Sequence, residues 1–510
     1  MTGVSVLWPR GIEAAGAVGV ESAGREDLNI GAVIGAVVKA DAYGLRGWFE
    51  RPVRDPEVVR YRQEVFADVM DAGVRGVFET FAGDLRVVRK RLEWIGRQQH
   101  PCQRERWLVG AAAEYVEAVR RLADELGALT LESRGLRGWR EFVSAYVSGG
   151  EFGRLAEEVG RVQRRLDGVR YGLRIVGRSL EVGPAGDEAD YSAGISELFS
   201  RFGTGAPRAA REPSEWDEMA QMEEQVLDRV AALNPDAFAE LSEFAEEYKE
   251  FADAEVLRFD REIQFYLMYL AFARRVCGDT RAMCLPELAS GRDEVRAEGM
   301  FDLALLTRRG RGADTVVCND FRLSGPERVL VVTGPNQGGK TTFARAFGQL
   351  MYFAALGCPV PARSACLPLA DRVFTHFERA EQATDPDGRL ADELVRIRDV
   401  LEQATADSVI VLNESFSSTS TADAVRISGD VLERIAERGS IAVWVTFFDE
   451  LARGGPATVS MVAATDPADP GRRTFSIERR AADGNAHAVV LAERFGLTYD
   501  LVTARITSCR

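Results

Sequence analysis

At 510 residues the chain is too long for a single hydrophobic core, and at roughly 150 residues per domain it holds about two to four. Hydrophobic residues at 46% and charged residues at 28% are ordinary for a soluble globular protein, while a net charge of −15 argues against whole-surface attraction to nucleic acid, which rests on clustered Lys and Arg. With only His100, His376 and His487 present, a histidine-rich metal site is excluded, and seven cysteines without a C-x-x-C pair read as reduced thiols in a cytosolic compartment.

The first thirty residues show neither a secretory signal nor a transit peptide, and no run approaches the ~20 apolar residues of a membrane span, so a soluble, cytoplasmic protein is expected. From about Pro52 to Arg275 the dominant period is helical. Between Trp107 and Leu126, for example, Leu108, Ala111, Ala112, Tyr115, Val119 and Leu122 recur at spacings of three and four. The basic runs Arg86 to Arg91 and Arg161 to Arg165 are candidate local patches for nucleic acid, with solvated helix faces as the commoner origin of such runs.

Val169, Tyr171, Leu173 and Ile175 alternate, Gly177-Arg178 turns the chain, and Leu180 and Val182 return, which predicts a hairpin. The Gly-, Ala-, Asp- and Pro-rich stretch from Gly183 to Arg211 reads as a loop or partly disordered insertion. Ser214 with Asp217 gives a capping-box-like start ahead of Met219, Met222, Val226 and Val230, and Asn234-Pro235 opens another helix. That last helix carries Phe238, Leu241, Phe244, Tyr248, Phe251, Ile263, Tyr266 and Leu270 with no internal Gly or Pro. It predicts a strut of roughly 60 Å; the alternative is two core helices broken near Asp253. After Gly291 the pattern changes. Val329 to Thr333, Val409 to Leu412 and Ile441 to Val445 are continuous apolar runs, as expected for strands of a mostly parallel sheet covered on both faces.

Gly334-Pro335-Asn336-Gln337-Gly338-Gly339-Lys340-Thr341-Thr342 fits G-x-x-x-x-G-K-[ST] and lies between a predicted strand and a predicted helix, Phe343 to Ala355. Glycines let successive backbone N–H groups converge on phosphates, and the positive helix end faces the same anion. Lys340 reaches the β and γ oxygens in such a loop, and the Thr341 hydroxyl ligates Mg²⁺. The apolar strand ending at Leu412 supplies the second half of the site. Asn413 stands where such strands usually carry an Asp; it keeps a carbonyl acceptor for the metal shell but loses a charge, and Glu414 is the expected water-positioning carboxylate.

These residues, together with Cys318-Asn319-Asp320, Pro359 to Ala362, Asp371 to Phe374, Thr419-Ser420-Thr421 and Ala492 to Gly496, resemble the ATPase domain of the MutS mismatch-repair family over roughly residues 315 to 506. Tyr61 to Asp68 also resembles a shorter bacterial branch of MutS-like proteins. The resemblance implies an α/β, ABC-like P-loop ATPase domain at 291–510. A mainly helical core and lever domain at 51–290 precedes it, with the hairpin near 169–182, and residues 1–50 are without assignment. It further implies ATP and Mg²⁺ as cofactors, Asn319 and Gly334 to Thr342 as nucleotide contacts, Thr341 and Asn413 at the metal, and Lys340 and Glu414 as catalytic residues. Such domains dimerise head to tail across their nucleotides, with Thr419 to Thr421 facing the partner, although those hydroxyls equally suit a helix N-cap. DNA as a target comes from the resemblance alone.

Three departures predict slow turnover: Asn413, Gly388 where a serine addresses the partner's γ-phosphate, and Phe447 where a histidine is usual. The aromatic-x-glutamate pair that reads mispairs is not found; Phe49-Glu50 and Phe78-Glu79 lack the spacing. The expected function is therefore a nucleotide-switched homodimer acting on DNA in repair or recombination. The alternative is a nucleotide-gated scaffold that hydrolyses poorly and binds protein partners. A transporter head fits less well, since no leucine-serine-glycine-glycine-glutamine signature is present, and so does a chromosome-maintenance head, whose ATPase halves are separated by very long heptad arms, whereas Gly334 and Glu414 here lie about eighty residues apart.

Overall fold

A computed structural model of the chain describes residues 4–12, 19–20, 22–176, 179–186, 221–278, 281–289, 291–309, 316–378, 389–466 and 472–482, with Leu497 and Thr503. Two compact units emerge, and they do not follow chain order. One gathers Met1–Ser5, Asp71–Glu132 and Leu136–Gln264; the other gathers Val6–Met70, Ser133–Gly135 and Phe265–Arg510. Residues 51–70 and 265–290, which the sequence pattern groups with the helical part, thus cluster with the sheet.

Among the described residues the first unit is helical apart from one hairpin. Asp71 caps the helix Ala72–Ile95 by accepting from the Gly73 and Val74 amides, and Pro101 opens Pro101–Ala128 at a position that needs no N–H. Apolar residues at helical spacing turn inward, and the core centres on Trp139, stacked on Phe259 with centroids 3.9 Å apart, with Phe78 and Phe81 against the same ring. Tyr171–Val176 and Ser179–Pro184 pair antiparallel, Val176 opposite Ser179. The predicted Ser214 cap and most of the 183–211 stretch lie outside the described residues.

The predicted long strut is two helices, Pro235–Glu247 and Ala254–Cys277. Aromatic periodicity continues across the gap, but Asp253 stops the chain. Its carboxylate accepts from the Glu255 and Val256 amides at 2.8 and 3.1 Å, and its own amide donates to the Tyr115 hydroxyl at 3.0 Å. Phe251, buried against the Tyr115 ring, fixes the turn. A local cap and a buried aromatic outweigh one more turn of helix.

The second unit is built on a sheet with seven described strands: β1 (Gly19–Val20), β2 (Val329–Thr333), β3 (Arg372–Phe377), β4 (Val409–Asn413), β5 (Ile441–Val445), β6 (Thr458–Thr465) and β7 (Arg473–Arg479). Their order is β1-β3-β4-β5-β2-β6-β7, parallel throughout except for the antiparallel β6–β7 edge. Every residue of β2, β4 and β5 is buried, as continuous apolar runs require. Helices α1 (Lys340–Ala355), α2 (Arg389–Gln403) and α3 (Thr421–Arg438) cover it. Ile397 and Leu401 of α2 and Val431, Leu432 and Ile435 of α3 form one core with Val331, Ile410, Leu412 and Trp444. The α1 helix packs on β4 and β5 outside that cluster, from the other face.

Two buried polar side chains tie the early residues to this unit. The Arg62 guanidinium donates to the carbonyls of Leu7 and Leu356, and Gln349 of α1 donates to Leu28 O and Asp302 Oδ1 while accepting from the Leu303 amide. Buried groups of this kind persist only where their partners are all present. Asp68, at the end of the Tyr61 to Asp68 motif, likewise accepts from the Ser133 amide.

Candidate functional site

The parallel register carries β2 and β4 to the same edge of the sheet, Val445 of β5 lying between Val332 and Asn413. Their tips are therefore two strand spacings apart, roughly 10 Å. From β2 the chain enters the turn Gly334–Gly339, and α1 begins at Lys340. Gly334 has φ +114° and Gly339 has φ +92°, conformations that side chains rarely adopt. Gly338 is held for another reason: a Cβ there would lie 2.9 Å from both Ala463 Cβ and Pro335 O. The first-turn amides of α1 have no partners within the helix and face outward from this turn.

Lys340 is buried, and its ammonium donates to the carbonyls of Gly334 at 2.9 Å and Pro335 at 3.1 Å. The Phe447 ring stands over the same ammonium, 4.6 Å from Nζ to centroid. Burial pushes the Lys340 pKa down, against the upward pull of the Glu414 carboxylate, and Arg473 adds to the depression.

A cavity of about 460 Å³ opens beside the turn. Gln337, Gly338, Gly339, Lys340, Thr341, Thr342, Glu414 and Asn319 line it, so most of the predicted contacts share one space. Gly334, Pro335, Asn336 and Asn413 are not among its lining residues. The Gly334 and Pro335 carbonyls accept from Lys340, the carbonyl of the exposed Asn336 accepts from Arg473 at 3.1 Å, and Asn413 is buried, with an Oδ1 that has no hydrogen-bond partner among the described residues. An orphaned buried acceptor at this edge suits a metal-bound water. Asn319 is fixed by β7: its Oδ1 accepts from the Ile477 amide at 2.6 Å and its Nδ2 donates to Phe475 O.

Among the departures, Gly388 lies outside the described residues. Ser420 is the N-cap of α3, its hydroxyl accepting from the Asp423 amide. Phe49 stacks on Phe265 and Phe78 packs on Phe259, so both are core residues. Arg91 pairs with Glu114, and Arg161 and Arg165 share Glu240, as solvated helix faces do, whereas Arg89 pairs with the buried Asp260 and so departs from that reading. No described helix is long and apolar enough to cross a membrane.

Sequence reasoning missed the rest of the wall: Leu305, Arg309, Val316, Val317 and Phe475. Phe475 has φ +60° and a half-exposed ring, and a Cβ added at Gly339 would meet it at 3.6 Å. It sits in a strand, and only its fold position reveals it.

Residues 330–487 match the family model described as MutS domain V. The DNA mismatch repair protein MutS of Brevibacillus brevis is 33% identical over 177 residues, 34% of this chain and 20% of that protein. MutS of Thermotoga petrophila is 28% identical over 239 residues, 46% of this chain and 28% of the relative. The DNA mismatch repair protein MSH3 of Phaeosphaeria nodorum is 37% identical over 142 residues, 28% and 13% of the two chains. The chain thus matches about a fifth of the length of such relatives. The domain V match is laid over β2, the glycine turn and β4, and with relatives named MutS at about 30% identity this part of the chain is MutS-like.

Proposed function

We propose that the chain is a slow, magnesium-dependent ATPase working as a nucleotide switch. The single observation that carries this reading is the convergence of Gln337 to Thr342 with Glu414 on one cavity of about 460 Å³. The first-turn amides and Lys340 would bind the phosphates, the Thr341 hydroxyl and Asn413 Oδ1 would serve the metal shell, and Glu414 would orient water and hold its proton. Magnesium at such sites takes few protein ligands and relies on substrate phosphates, which fits two neutral oxygens and the absence, among the described residues, of any cluster of three acidic, His or Cys groups. The ring of Phe475 with Leu305 and Val316 supplies an apolar wall for a base. Lys340→Ala should abolish ATP binding; unaltered ATP affinity in that variant refutes the assignment.

By family likeness the switch is a P-loop, ABC-type homodimer closing across its nucleotides in the cytoplasm and altering its hold on DNA during repair or recombination. A second reading, the nucleotide-gated scaffold for protein partners, is favoured by the Phe447 ring over Lys340 and by Asn413. Salt separates the two. Binding through DNA phosphates weakens steeply as salt rises, and no binding to duplex, branched or single-stranded DNA at low salt favours the scaffold.

A further inference from the structure

Immediately after β4 the chain makes a short elbow, Glu414-Ser415-Phe416, in which the two outer residues have left-handed backbones, φ +55° and +63°. Neither is glycine, and each such residue costs on the order of 1 kcal/mol or more unless its surroundings impose it. Here the surroundings do so at every step. The Glu414 amide donates to Val445 O at 2.9 Å. The Ser415 hydroxyl is 2.9 Å from Nδ1 of His376, a buried residue of β3. The Phe416 amide donates to Glu393 Oε2 at 2.9 Å, and Glu393, on α2, is only 1% exposed. The Phe416 ring is sealed in the core.

Strain that is anchored from three elements, and that delivers one carboxylate side chain to a cavity wall, signals preorganisation. We propose that Glu393 and His376 are positioning residues for Glu414: through the Phe416 amide and the Ser415 hydroxyl they hold the elbow so that the Glu414 carboxylate faces the nucleotide cavity. This rests on the reading of that cavity as an ATPase site. It also makes α2 a mechanical input, because a shift of that helix moves Glu393 and, with it, the elbow, while Lys340 and the glycine turn stay on β2 and α1.

The test compares wild type, Glu393→Ala, Glu393→Gln and His376→Ala in the full chain, measuring ATP affinity, steady-state turnover and hydrogen exchange of the Phe416 amide. A misplacement of about 1 Å in such a site costs up to about a hundredfold in rate. Glu393→Ala is expected to lose tenfold or more in kcat, with ATP affinity within twofold of wild type and faster exchange at Phe416. Glu393→Gln, which keeps an acceptor, should recover most of both, and His376→Ala should show a smaller loss of the same kind. Undiminished kcat in Glu393→Ala, or equal loss of affinity and rate with no recovery in Glu393→Gln, overturns the proposal while leaving the ATPase reading intact. A wild-type protein that binds no ATP or releases no phosphate overturns both.

Discussion

Replacing Gly338 by alanine tests the geometry of the glycine turn while leaving Lys340, Thr341 and Glu414 in place. The added Cβ would sit 2.9 Å from Ala463 Cβ and 2.9 Å from Pro335 O, half an ångström inside the 3.4 Å at which ordinary contact begins. One of the two obstacles is backbone and the other belongs to the buried strand β6, so the turn must yield. Overpacking of this kind costs about 1–3 kcal/mol, which is about 5- to 150-fold in an equilibrium constant. Because the strand is locked into the sheet and the turn is not, the loss should fall on ATP affinity and spare the global melt. Titration with a fluorescent ATP analogue measures it. Ala463→Gly in the same chain removes one of the two collisions and should restore part of the affinity. Gly429→Ala, in the middle of α3 with nothing within 4 Å of the new methyl, is the control and should leave binding unchanged. Wild-type affinity in Gly338→Ala, or a loss that Ala463→Gly leaves untouched, refutes the reasoning.

Two further substitutions probe other links. Asn413→Asp places a full charge at the orphaned acceptor on the tip of β4 and should lower the Mg²⁺ concentration for half-maximal ATP binding by roughly tenfold, about 1.4 kcal/mol; an unchanged or higher requirement removes Asn413 from the metal shell. Asp253→Ala deletes the cap that accepts from Glu255 and Val256 and should destabilise the first unit by about 0.5–2 kcal/mol, seen as a lower urea midpoint. An unchanged midpoint would mean that the buried Phe251 alone breaks the helix.

What could be read in the sequence was what is local. Gly334 to Thr342 is a contiguous run whose chemistry is carried by backbone conformation and one lysine, and its flanks announce a buried strand and a helix. Asn413-Glu414 could be placed because the apolar run before it has to end at the same sheet edge. Phe475 could not: it enters the wall 141 positions beyond Gly334, on an antiparallel edge strand whose pattern resembles any other. The clustering of residues 6–70 with the sheet was equally hidden, since it depends on Arg62 reaching Leu356 O and Gln349 reaching Leu28 O, 294 and 321 residues away. The 235–270 strut failed for the opposite reason. Periodicity reports which residues face the core, and a well-capped break at Asp253 preserves that facing while ending the helix.

The same division bears on where Phe447 and Asn413 depart from the pattern expected of such a site. The glycine turn and Lys340 are fixed by steric demands that neighbours impose directly, such as Ala463 against Gly338 and the carbonyls around the lysine ammonium. The carboxylate that would act on water is held differently, by an elbow tied to β3, β5 and α2. On the proposed reading, binding and hydrolysis would therefore rest on separate sets of contacts. Phe447 stands beside the first set, over Lys340, and Asn413 at the entry to the second, so each departure from the expected residue would slow turnover without dismantling the pocket proposed for phosphate.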